Sequence, residues 1–262
     1  MFHLPIPKSR CLTACVFVLA LAVLAGCATV SKTPSQLASG DTPGGQAPSL
    51  TNPTLVLPAF DTWQHYQLPG KQATKFSFLR VDGKSAVSAQ ATSSASMLRH
   101  RMRIEPAELG RIRFSWNVPQ LIDAADMALP EADDSPVRII LAFDGDRSRF
   151  SMKNAMMSEL SHAITGEPLP YATLMYVWCN TRPSDTVIVN PRTDRIRQMV
   201  VESGARGLSR WQMYERNIRA DFERAFGEPP GALVGIGIMT DTDNTRSDAR
   251  VLYGQLDLTP AR

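Results

Sequence analysis

Alternation with period two governs most of this chain and leaves it little choice of fold. In GRIRFSWNVP (110–119), Ile112, Phe114, Trp116 and Val118 fall on one side, and Arg111, Arg113, Ser115 and Asn117 on the other. That is the pattern of a strand buried on one face. VRIILAFDG (137–145) repeats it with Val137, Ile139, Leu141 and Phe143, then closes in an Asp144-Gly145 turn. KFSFLRVD, SAVSAQA, ATLMYVWCN, TVIVNP, IRQMVVES, ALVGIGIMT and ARVLYGQLDL read as further strands. Many short strands parted by Gly, Pro and Asp turns predict a mainly β fold, an all-β sandwich.

Two segments depart from that period. MKNAMMSELSHAITG (152–166) has helical composition and a terminal glycine, which predicts one short helix. A better-marked helix is expected over about 209–226. Ser209 with Gln212 makes a capping-box pattern, and Gly227 before Pro229-Pro230 stops it. Its apolar stripe would be Trp211, Tyr214, Ile218, Phe222, Ala225 and Phe226, with Glu215 inside the stripe. A carboxylate there needs a cation, so Glu215 is expected in a structural ion pair, with Arg219 at i+4 or a strand arginine such as Arg138.

The first residues are an address. Lys8 and Arg10 precede an apolar run, Cys11 to Gly26, of sixteen residues. That is short of the roughly 20 needed to span a bilayer as a helix and matches an export signal. It ends Leu24-Ala25-Gly26-Cys27, which resembles the lipobox of bacterial lipoproteins. Residues 1–26 are therefore expected to be removed, leaving Cys27 as a lipidated N-terminus. Its two or three acyl chains would make a stable membrane anchor. Ala28, where aspartate favours inner-membrane retention, points to the outer membrane and a periplasm-facing domain. Residues 27–54, rich in Ser, Thr, Pro and Gly and without aromatics, read as a flexible tether. A single sandwich domain is expected over 55–262. Net charge is +3, near +1 once Lys8 and Arg10 are lost, which excludes nucleic acid as an expected partner. In the mature part only Cys179 remains beside Cys27, and a buried inert thiol is its expected state.

RFSWNV (113–118), DDSPVRIILAF (133–143), LMYVWCN (174–180), LSRWQMYERNIRADFERAFGEPP (208–230) and GIGIMTDTDNT (235–245) occur in an order that resembles the bacterial family known as Domain of Unknown Function 3047. Cys179 departs from the small residue expected after the tryptophan. The resemblance implies a jelly-roll-like sandwich of the galactose-binding or carbohydrate-binding-module type, by fold analogy. It implies no established activity, because such folds host binding modules and enzymes alike.

Candidate chemistry concentrates in acidic turns. Asp133, Asp134, Asp241 and Asp243 would serve as calcium ligands, as a hydrolytic carboxylate pair, or as turn residues bonding backbone. An EF-hand is excluded, since Arg246 and Leu252 stand where that loop needs glycine and glutamate. Calcium in another geometry, at Asp241 and Asp243, stays open, and no other cofactor is expected. Hydrolysis of a glycosidic bond needs two carboxyls about 5–5.5 or 6.5–9.5 Å apart, which sequence alone does not place. His65, His100 and His162 lack metal-ligand spacing, and no nucleotide or serine-hydrolase motif is present. Sugar binding would use aromatic faces and polar side chains. Arg113, Asn117, Arg138 and Trp178 are the candidate ligand-binding residues, with Trp63, Tyr66 and Tyr171 as further aromatics. The expected role is a non-catalytic binding module for polysaccharide, with a scaffold for envelope proteins second and a carboxylate-based glycan hydrolase third.

Overall fold

The computed structural model describes residues 55–81 and 83–261. The expected export segment 1–26, the lipidated Cys27 and the tether 27–54 lie outside the described residues. Two sheets of seven strands form the architecture. Strands are numbered along the chain. The first sheet runs β1 (Leu55–Val56), β14 (Asp257–Thr259), β6 (Arg111–Asn117), β13 (Asp248–Tyr253), β4 (Lys84–Thr92) and β3 (Lys75–Val81). Its seventh strand, β11 (Trp211–Asn217), pairs with the whole length of β6, whose other edge β13 and β14 share. The second sheet runs β2 (Gln64–Gln67), β5 (Ala95–Ile104), β12 (Leu233–Asp241), β7 (Ser135–Phe143), β8 (Ala172–Cys179), β10 (Ile196–Ser203) and β9 (Val187–Val189). Pairing is antiparallel except between β8 and β10.

The predicted alternation in β6 holds: Ile112, Phe114, Trp116 and Val118 are buried against the second sheet while Arg111 and Arg113 face solvent. Phe114 stacks on Tyr176 of β8, ring centroids 5.5 Å apart, and Trp116 meets Trp178 at 6.4 Å. Such cross-sheet aromatic pairs join the inner faces into one core with Val137, Ile139, Leu141, Phe143, Leu174 and Ile238. The outer face of the second sheet is covered as well. Met127, from the segment between β6 and β7, packs with Val177, Cys179, Ile188 and Val200. Strands β7 and β8 are therefore buried on both faces, which explains their nearly continuous apolar sequence. Cys179 is a buried free thiol.

The short helix falls where it is expected: α1 spans Met152–Thr165, starts on Ser151 and stops at Gly166 in the left-handed region. Its orientation is unusual. Asn154 and Ser158 face inward, and Asn154 bonds Asp194 and Thr193. Met152, Met156, Leu160 and Ile164, spaced by four, stand 82%, 67%, 61% and 60% exposed.

The second helix occupies only part of its expected range. Residues 211–217 are strand β11, and α2 runs Ile218–Phe226. Ser209 is not an N-cap, because its φ of 57° is left-handed where a cap needs extended backbone. Asn217 caps instead, accepting from the Ala220 N–H at 3.0 Å. Gly227 ends the helix as predicted, with its N–H on the Glu223 carbonyl. α2 docks through Ile218 and Phe222, and its buried Asp221 accepts from Tyr176 at 2.9 Å and Arg216 at 2.7 Å. Among the described residues no helix is long and apolar enough to cross a membrane.

Candidate functional site

Pairing of β7 with β12 brings the acidic turns together. The register sets Asp241, last residue of β12, opposite Ser135, first residue of β7. Asp133 and Asp134 lead into that strand start and Asp243 follows that strand end, so all four expected acids gather at one end of the second sheet. Arg138 lies among them, 3% exposed, and is no surface ligand-binding residue. Its guanidinium donates to the Asp133 carbonyl at 2.8 Å and the Asp133 carboxylate at 3.1 Å, and stands 3.4 Å from Asp241. Gln198 bonds both Arg138 and Asp133. Asn190 donates to the other Asp133 oxygen at 2.7 Å.

Asp134 serves the turn after β12. It accepts from the Asn244 N–H at 3.2 Å, the Thr245 N–H at 2.7 Å and the Thr245 hydroxyl at 2.5 Å. Asp243 is held by Lys71. Burial holds the Asp241 carboxyl well above the usual carboxylate range; Arg138 pulls it down, while Asp134 and Asp243 push it further up. One carboxylate oxygen each from Asp134, Asp241 and Asp243 lie within 4.8 Å of one another. Asp133, by contrast, is committed to Arg138, Gln198 and Asn190.

The other expected site residues are on the outer face of the first sheet, or not at a surface at all. Trp178 is core, its indole N–H on the Gly204 carbonyl at 3.0 Å. Trp63 and Tyr171 are likewise buried, and Tyr66 lies under the Arg99 guanidinium, 4.0 Å from its ring centre. Arg113 and Asn117 do face outward together on β6. Glu215 is exposed on a strand, not inside a helical stripe. It takes neither Arg219 nor Arg138 but bridges Arg111, at 2.8 Å, and Arg113 across β6–β11. Those two arginines, Arg113 first, hold its carboxyl below the usual range.

The residue that sequence reading missed on this face is Trp211. Strand β11 alternates, so Trp211, Met213 and Glu215 point outward while Gln212, Tyr214 and Arg216 are half-buried. Trp211 sits opposite Asn117, Met213 opposite Ser115 and Glu215 opposite Arg113. The row through Asn117 continues to Leu252 on β13 and Ser88 on β4. Gly254 leaves room for the indole: a Cβ there would stand 3.2 Å from the Trp211 ring and 2.2 Å from the Ser115 hydroxyl. The indole thus packs against Gly254 while the residue stays 36% exposed.

A family model described as protein of unknown function, DUF3047, matches residues 61–257. No curated protein matches the chain. Among solved structures, the chain is similar to the xyloglucanase domain of NopAA, a type three effector from Sinorhizobium fredii, in complex with cellobiose. Identity is 8% over 76% of this chain and 93% of that one, with a TM-score of 0.41. A CBM4 structure aligns at 6% identity over 78% and 89% of the two chains, TM-score 0.35. The family 11 xylanase from Neocallimastix patriciarum aligns at 7% over 72% and 87%, TM-score 0.34.

Proposed function

The chain belongs to the DUF3047 family, and we propose that it is a non-catalytic polysaccharide-binding module held at the cell envelope by a lipid on Cys27. One observation carries the binding half: an open sheet face on which an exposed Trp211 stands opposite Asn117, with Met213 and Ser115 next along the same two strands and the Arg111–Glu215–Arg113 bridge beyond them. An exposed tryptophan on a sheet face stacks on the C–H side of a pyranose ring. The flanking amide, hydroxyl and guanidinium groups bond ring hydroxyls, and the bridge fixes their rotamers before any ligand arrives. Hydrolysis draws no support from the acid cluster. Asp133, Asp134 and Asp241 are buried, and the first two have both oxygens engaged by donors.

A glycan array probed with the full chain tests this reading. Envelope or extracellular polysaccharides are expected to bind, and Trp211→Ala to weaken binding about tenfold or more while leaving the melting temperature within about 2 °C. Full binding by the variant would remove the open face as the site, and no binding to any glycan by the wild type would sink the proposal. In that event the scaffold reading gains, and the exposed Met152–Met156–Leu160–Ile164 stripe of α1 is the observation in its favour.

The anchor rests on the LAGC sequence and the length of the apolar run before it. Cells fed labelled palmitate should label the wild type and not Cys27→Ala. Label retained in that variant would show that the lipid is not on Cys27.

A further inference from the structure

Around the turn after β12 one acid among the described residues has a buried carboxylate oxygen without a partner. That acid is Asp241. Its Oδ2 faces the Arg138 guanidinium at 3.4 Å, while Oδ1 is buried and has no hydrogen-bond partner among the described residues. A desolvated carboxylate oxygen without a donor is costly, and Asp241 as a whole is only 7% exposed. The same carboxylate belongs to the group of three whose oxygens lie within 4.8 Å of one another. Calcium takes cages of several protein oxygens at about 2.3–2.6 Å, whereas magnesium keeps several of its waters and binds through one or two carboxylates, so three converging carboxylates suit calcium better. We propose that Asp134, Asp241 and Asp243 bind a calcium ion, with Asp241 as the inner ligand and Asp243 at the entrance.

Charge and access both suit this. Arg138 is shared between Asp133 and Asp241, so it neutralises the group only in part. The cation at the entrance is Lys71, on Asp243, and its side chain is long and partly exposed. It withdraws into water as a divalent ion enters, so Lys71 acts as a competitor for the site. The Asn244 and Thr245 N–H groups on Asp134 fix that carboxylate in place before the ion arrives. The rival explanation of the orphaned oxygen is a proton on Asp241 shared with its acidic neighbours, and calcium binding here is independent of what the open face holds.

The test melts the chelator-treated full chain with calcium or magnesium chloride and titrates both by calorimetry. Calcium a hundredfold above its Kd is expected to raise Tm by about 5–10 °C, and magnesium to raise it less. Asp241→Asn should abolish the calcium shift, and Lys71→Met should tighten calcium binding severalfold. No heat and no shift with calcium in the wild type would overturn the site. So would an Asp241→Asn protein that keeps the full calcium shift, which would show that Asp241 is not a ligand. Equal effects of magnesium would overturn the choice of ion. Should Asp241→Asn fail to fold, the wild-type titration and Lys71→Met decide the matter, because Lys71 lies at the surface.

Discussion

Arg138→Met should destabilise the protein by about 3–5 kcal/mol, the usual cost of removing one partner from a buried ion pair. In a domain of this size that lowers Tm by about 6–20 °C. The methylene length of the side chain is kept, so the loss is electrostatic: the Asp133 carbonyl and carboxylate, Gln198 and Asp241 all lose their buried cation at once. The deficit has a pH signature with a definite sign. Burial already raises the Asp241 carboxyl above its ordinary value, and Arg138 is the group that opposes the rise. Without it the folded-state pKa climbs further. A carboxyl whose folded pKa exceeds its unfolded one of about 4 costs stability progressively as pH rises through the window between the two. Denaturant unfolding of wild type and variant should therefore show a gap that is wider at pH 7 than at pH 4. A gap of under 1 kcal/mol at pH 7, or one that widens on acidification, would contradict the role given to this arginine.

Phe222→Ala should cost a similar amount, about 3–5 kcal/mol, by leaving a cavity that a β-sandwich cannot close. Phe222 is fully buried, with its ring 4.6 Å from that of Phe143 and 4.5 Å from that of Phe226. α2 has nine residues, fewer than the roughly 12–15 that make an isolated helix even marginal, so packing is what keeps it helical. The variant should show a lower denaturation midpoint with an unchanged slope, the mark of lost stability without a change in compactness. An effect below about 1 kcal/mol would mean that α2 is peripheral to the core.

Strands were the most legible feature of this sequence, because a period of two survives wherever one sheet face is dry. The start of the helix expected near residue 209 is a strand for a specific reason. Trp211, Tyr214 and Ile218 satisfy helical spacing, yet Trp211, Met213 and Glu215 equally satisfy strand spacing, and both faces carry bulky groups. Only pairing with β6 decides between them, and pairing is not local. The same holds for the acids. Nothing short of the β7–β12 register reveals that residues 133–134 and 241–243 meet, so candidates picked for their chemistry converge through topology. Arg138 failed as a surface candidate because the segment carrying Met127 roofs the outer face of the second sheet, and Trp178 because its ring lies between the two sheets against Trp116. A strand buried on both sides gives no sign of which polar residue lies under the roof. Trp211 would have been found by asking which aromatic an exposed strand could present.

The position of β12 has a temporal consequence. It lies between β5 and β7 at the middle of the second sheet, yet it is made from residues 233–241 of a 262-residue chain. A chain emerging from its N-terminus exposes β5 and β7 with bare edges for most of its passage, and no earlier strand takes the place between them. Closure waits on a contact between residues far apart in sequence, which is intrinsically slow. Under the proposed export, a keystone strand that follows β5 and β7 in sequence delays closure of the second sheet until that strand too has crossed the membrane. The cost is a long interval in which apolar strand edges are available to partners other than their own.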